Sequence, residues 1–347
     1  MFKESGAFQK PKSPENFKEK LDGMMSVIAQ KLNAEFQALG ENQALLNSDN
    51  AINMEAFRPG EKTKGKRDRN KNKLDNLLEA QSVTNEEEPV KALTFVDADK
   101  ERIRNKNIEF SAADNPSTQL HYIDEFGVKN DENIVDNVIE QFKKNNEKKL
   151  SFLLEKAVIA LFYRLLDAEF MVMRSSTYDD YFNGIDNVIV NRKTGAVICA
   201  IDEVHSEIDG ERLSDKIQKV ERIAKDDGAT LKYGVMLKKD ASTGAQKLVK
   251  RPIENIPVFY IGLSAEELKS LLSGMNYDVN GKINQIEFDI FDKIMISLED
   301  QIIKLSTVKK SSDKPLHDGV KKNIAIFKDS VRQMKKLRVA KKIDSSS

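Results

Sequence analysis

The segment SFLLEKAVIALFYRLLDAE, residues 151–169, constrains this chain more than any other. It is rich in apolar side chains and holds neither Gly nor Pro, so it reads as a helix, and one this apolar is expected to be substantially buried. The runs that follow offer a surface to bury it. EFMVMRS (169–175), NVIVN (187–191) and AVICAIDEVH (196–205) are dominated by β-branched and apolar residues and read as three strands. The turn RKTG (192–195) makes the second and third a hairpin. A helix over 211–226, with Leu213, Ile217, Val220 and Ile223 at helical spacing, leads to strands at KYGVML (232–237) and IPVFYIGL (256–263). The order αβββαββ interleaves the two element types, so the class is α/β or α+β.

At 347 residues the chain is too long for one ordinary domain. Residues 1–16 are polar, contain Pro11 and Pro14, and read as a disordered lead-in. Leu21, Met25, Ile28, Leu32, Phe36 and Leu39 then recur at spacings of three and four, and Gly40 stands where a helix C-cap glycine would. The stretch RPGEKTKGKRDRNKNK (58–73) is basic and lacks large apolar side chains, and the chain stays weakly patterned to about Pro116. It reads as a linker or extended arm. Ile134, Val138, Ile139 and Phe142 mark a short amphipathic helix over 132–146. Past Ser264, AEELKSLLSGM forms a short helix. Phe291, Met295, Leu298, Ile302 and Leu305, then Ile324, Phe327, Val331 and Met334, predict a helical hairpin turning at SSDKPLHDG. Its seam has three available partners: the first helix, the core, or a second copy of the chain. The expected division is an N-terminal arm over 1–130, a core over 131–264 and helices over 265–347.

Composition excludes several classes. With 39% apolar and 32% charged residues and no Trp, a moderate core is affordable beside much solvated surface. Fifty-six basic and fifty-six acidic residues cancel, so affinity for nucleic acid must come from local clusters. Cys199 is the only cysteine, which rules out an intrachain disulfide framework and a Cys-rich zinc site and suits a reducing compartment. The N-terminus has no apolar signal-like region, and no apolar run approaches 18 residues. The expectation is a cytoplasmic protein with no membrane partner.

A carboxylate on an otherwise apolar strand is costly to bury unless it is paired, protonated or bound to a metal. Asp186 opens the second strand in GIDNVIV, and Glu203 lies near the end of the third in AVICAIDEVH. Pairing through the RKTG turn sets residues near 187–190 against 197–200 and Asp186 against the region of 201–203. Both acids then meet at one end of the sheet. Mg²⁺ or Mn²⁺ takes oxygen ligands, commonly one or two carboxylates with waters and phosphate oxygens, so the pair is a plausible metal seat. A metal there would polarise a phosphodiester and lower the pKa of a bound water.

With these acids in place the sequence resembles the PD-(D/E)XK nuclease superfamily, whose restriction-endonuclease-like core runs αβββαβ; here it carries helical N- and C-terminal extensions. The element order matches over 151–237. GID at 184–186 resembles the family's metal-binding Asp, Glu203 its second acid, and Glu155 the Glu that several branches place in the first helix. Position 205, where the family usually has Lys, is His205 in Glu203-Val204-His205. In the family that Lys supplies a fixed charge near the attacking water, whereas a histidine is only partly protonated at neutral pH. His205 would serve as a general base or water-orienting group, or Lys216 or Lys219 on the next helix would act as a relocated lysine. Gln218 resembles a polar residue some branches use there. The resemblance implies a Mg²⁺- or Mn²⁺-dependent nuclease, with DNA as the expected substrate. Its alternative is an inactive nuclease-fold protein that binds nucleic acid or acts as an oligomeric scaffold, with the helical segments serving homo-oligomer assembly.

Each position also has a plainer reading. Glu155 fits an ordinary helix-surface residue, Asp186 the end of a turn in a loop crowded by Asp179, Asp180, Tyr181 and Asn183, and His205 a rim histidine. Glu203 fits a strand-end residue facing water, with Asp202 doing the same on the other face. Lys64, Lys66, Arg67 and Arg69 lie in the basic run and would neutralise phosphates without reading sequence, or else belong to a solvated linker. Gly60 to Lys66 opens like a Walker A loop, but Arg67 replaces the Ser or Thr hydroxyl and no strand precedes it. Asp202 to His205 spells a DExH box by accident, and the NTPase reading is rejected.

Overall fold

The computed structural model describes residues 14–57, 128, 131–132, 135, 150–205, 211–240, 243–309 and 315–346. The basic run, most of the 132–146 segment and the side chain of His205 lie outside the described residues. Helix α1 spans Pro14–Ala38, starting earlier than the sequence reading placed it. Proline at the first helical position loses no internal hydrogen bond. Leu21, Met25, Ile28, Leu32 and Phe36 are fully or almost fully buried. At its end Gly40 adopts φ 93°. The Gly40 amide donates to the carbonyl of Gln37 and that of Glu41 to Phe36, the paired bonds of a Schellman ending.

Helix α2 (Leu150–Leu166) is the apolar helix expected from the sequence. Every apolar side chain from Leu153 to Leu166 is buried, as are two charges, Lys156 and Arg164. Each charge is paired with a distant segment. Lys156 Nζ donates to Asp22 in α1 and, at 2.8 Å, to Asp49. Arg164 Nε lies 2.7 Å from Glu287 Oε1, and its other nitrogens reach the carbonyls of Asp278 and Lys282.

The main sheet holds β1 (Phe170–Arg174), β2 (Asn187–Asn191), β3 (Val197–His205) and β8 (Val258–Leu263) in the order β1-β2-β3-β8. The first three are antiparallel, and β8 lies parallel to β3. The expected hairpin is present, with Asn187 opposite Ile201 and Ile189 opposite Cys199. Between β1 and β2 the segment read as a loop forms a short helix, α3 (Thr177–Asn183), capped by Ser176 and ended by Gly184 at φ 62°. Helix α4 (Glu211–Lys225) starts the crossover from β3 to β8.

Two small ladders interrupt that crossover: β4 (Ala229–Leu231) pairs with β7 (Ile253–Ile256), and β5 (Val235–Lys239) with β6 (Gln246–Lys250). The continuous strand expected over 232–237 is therefore broken. The amides of Lys232 and Tyr233 donate to the buried carboxylate of Asp179 instead of to a neighbouring strand. The strand expected over 256–263 is also divided, because Pro257 has no N–H to give a ladder and the chain changes sheets there.

Helices α5 (Ala265–Gly274), α6 (Gln285–Thr307) and α7 (Asp318–Ser346) complete the chain. The two last form the expected antiparallel pair, and its apolar seam is buried. Of the possible partners, the seam takes the core: Phe291 sits edge-on to Phe162 of α2 at 5.7 Å, and Phe327 lies 4.3 Å from Phe259 of β8. One continuous apolar core joins α1, the sheet and these helices. Both sheet edges are covered. Gln301 of α6 accepts from the Tyr260 amide and donates to its carbonyl, each at 2.9 Å. On the other edge, Ile52 and Asn50 exchange backbone bonds with Arg174. No described helix is long and apolar enough to cross a membrane.

Candidate active site

Successive strand residues point to opposite faces, so Asp202 and Glu203 diverge. Glu203, on the face toward α2, accepts from Asn187 Nδ2 and is 6% exposed. Asp202, on the other face and 2% exposed, is covered by α4, so the expectation that it faces water is corrected. Lys216 Nζ donates to Asp202 Oδ1, and Lys219 Nζ lies 2.6 Å from Oδ2. Asp186 sits one residue before β2, where its amide donates to the Ile201 carbonyl. From there its Oδ2 accepts from the Glu203 amide at 2.7 Å. The two acids of the sequence reading thus meet at one sheet end, as the hairpin register required.

Further groups converge there. Glu155 of α2 holds Arg174 of β1 at 2.7 Å, and Asp180 of α3 lies 3.8 Å from the same guanidinium. Gly184 has no side chain to obstruct Lys219, whose ammonium would stand 2.6 Å from an added Cβ and which also donates to the Gly184 carbonyl. Glycine at this site serves both the left-handed helix end and the lysine's approach.

The electrostatics follow from burial. Desolvation, then the nearby Asp202 and Asp180 charges, push Asp186 up to about 7. Glu155 is also pushed to about 7, by burial first, with Arg174 opposing. Asp180 rises to about 6 through burial and the Glu155 charge. Glu203 is held well above the usual carboxylate range by burial, then by Asp186 and Glu155. The five carboxyl groups Glu155, Asp180, Asp186, Asp202 and Glu203 outnumber the cations Arg174, Lys216 and Lys219 among these described groups, and burial and mutual repulsion raise four of them.

Among the described residues no group of three or more His, Cys, Asp or Glu side chains forms a ready cation cage. The donor set nevertheless fits a hard divalent ion that keeps most of its waters and takes one or two carboxylates. Glu203 Oε2 is buried and has no hydrogen-bond partner among the described residues, so an acceptor oxygen remains beside Asp186. Such an atom calls for a proton or a cation.

Of the sequence candidates, Glu155, Asp186, Glu203 and Lys216 come together. The backbone of His205 closes β3 opposite Leu263, while its side chain lies outside the described residues, as do Lys64, Lys66, Arg67 and Arg69. Sequence reasoning missed Arg174, Asp180 and Asn187. Asn187 was accessible to it, because its register partner Ile201 lies two residues from Glu203 on the same face. Comparison with family models, with curated protein sequences and with solved structures returns no match for this chain.

Proposed function

We propose that the chain is a Mg²⁺- or Mn²⁺-dependent nuclease of PD-(D/E)XK type, hydrolysing phosphodiester bonds with DNA as the expected substrate. The observation that carries this reading is the Asp186–Glu203 pair with its orphaned Oε2 at one end of the β2–β3 hairpin. The sheet order, with β8 parallel to β3 after a crossover containing α4, supports it as well. A bound divalent ion would polarise the phosphate and acidify a water. Asp186 and Glu203 would hold it, and Asn187 would fix the Glu203 carboxylate by its hydrogen bond. Lys216, close enough to Asp186 to oppose its upward shift, would supply the positive charge that position 205 lacks. Glu155, anchored by Arg174, would assist from α2. Lys64, Lys66, Arg67 and Arg69 would add sequence-independent phosphate contacts.

A second reading, a nuclease-fold scaffold that binds nucleic acid without cutting it, is favoured by one observation: the ammonium groups of Lys216 and Lys219 are both engaged by Asp202. Incubation of the purified protein with plasmid and single-stranded DNA plus Mn²⁺, beside Asp186→Ala and Glu203→Ala, separates the two. Nicking or degradation that needs Mn²⁺ and disappears in both variants is expected. Cleavage retained in the variants would belong to a contaminant, and no cleavage by any form would support the scaffold.

A further inference from the structure

Two lysine side chains beside a cation seat present an electrostatic problem, because each ammonium repels the ion the acids are to hold. Lys216 and Lys219 come one helical turn apart on α4 and turn inward to the sheet, 26% and 28% exposed. Both end on Asp202, one on each carboxylate oxygen. Asp202 lies across the strand pair from Asp186, and its charge is the largest acting on that residue. We propose that Asp202 is a positioning residue: it holds Lys216 and Lys219 in the site and takes up their charge, so that the neighbouring Asp186–Glu203 pair can accept a divalent cation. This role rests on the reading of Asp186 and Glu203 as the ion's ligands. That reading has an observation of its own in the partnerless Oε2 of the buried Glu203.

The alternatives differ in a measurable way. If Asp202 were itself a ligand, its loss would weaken metal binding whatever the lysines do. If it acts through the lysines, removing them repairs the loss. A purely structural Asp202 would change thermal stability and leave metal affinity alone.

The test is titration of the full-length protein with Mn²⁺ in the absence of DNA, followed by calorimetry or by the spin resonance of the free ion. Asp202→Asn, which keeps the side-chain shape, is expected to weaken Mn²⁺ binding tenfold or more. The triple variant Asp202→Asn/Lys216→Ala/Lys219→Ala is expected to return within about threefold of wild type. Unchanged affinity in Asp202→Asn, or a triple variant as weak as the single, overturns the proposal, as does a wild type that binds no Mn²⁺. Should Asp202→Asn fail to fold, Lys216→Ala/Lys219→Ala alone is decisive. It leaves Asp202 uncompensated and should bind Mn²⁺ several-fold tighter, and unchanged binding there refutes the role. DNA cleavage measured in parallel keeps the questions separate. Mn²⁺ binding with the expected pattern but no cleavage by the wild type retires the nuclease reading and retains the role of Asp202.

Discussion

Replacing Glu203 with glutamine keeps the shape of a buried side chain and removes its titration, and the size of the effect follows from where the group sits. Burial and the charges of Asp186 and Glu155 hold the Glu203 pKa well above its ordinary 4.5. Without a divalent cation, the folded protein therefore keeps a proton on Glu203 to higher pH than the unfolded chain does. Because the native state binds more protons in this window, unfolding becomes easier as pH rises above about 4.5. Each pH unit between the unfolded and the raised folded pKa costs about 1.4 kcal/mol, and the cost vanishes below the unfolded pKa. In Glu203→Gln the amide oxygen can still accept from Asn187 Nδ2, and the amide nitrogen stands where the proton stood. Urea unfolding in EDTA should show the variant gaining on the wild type as pH rises, by at most about 1.4 kcal/mol for each pH unit above the unfolded pKa, with little difference below about pH 5. Adding Mn²⁺ should stabilise the wild type and leave the variant unchanged. An advantage that does not grow with pH, or a variant less stable at neutral pH, would refute the reasoning.

Two further outcomes test the frame around the site. Arg164→Met strands the buried carboxylate of Glu287, which also caps α6, and should cost about 3–5 kcal/mol in urea unfolding; a smaller loss for Arg164→Met/Glu287→Leu than for the single change would confirm that the stranded charge is the cause. Gln301→Leu removes both bonds to the Tyr260 backbone and should cost about 2 kcal/mol, with increased self-association by light scattering because the β8 edge is bared.

Local patterns made the secondary structure around the site readable. The β2–β3 hairpin was legible because its β-branched runs flank a short turn, and the register carried Asp186 to the end of β3 without further information. Helix α3 escaped notice, although Ser176 with Asp179 three residues on is an N-cap pattern and Gly184 a C-cap. Its residues are too polar and its span too short for apolar periodicity to show. The break at 232–234 was illegible for a different reason. KYGVML is a good strand by composition, and only the distant Asp179 carboxylate takes the amides of Lys232 and Tyr233 out of a ladder. Alternation along β3 puts Asp202 on the face opposite Glu203 but says nothing about what covers it. Lys216 and Lys219 supply that cover from another element.

The late entry of β8 into the main sheet has a consequence for the order in which the chain can fold. β3 gains its second partner only after more than fifty intervening residues, and the helices that seal that face, anchored through Phe291 and Phe327, come later still. During synthesis the β1–β2–β3 meander therefore emerges with an open edge at β3. Such non-local pairing is slow to form, because the loop between the strands must close before any contact rewards it. A nascent chain stalled before residue 258 would therefore hold the strand that carries Glu203 as an open edge.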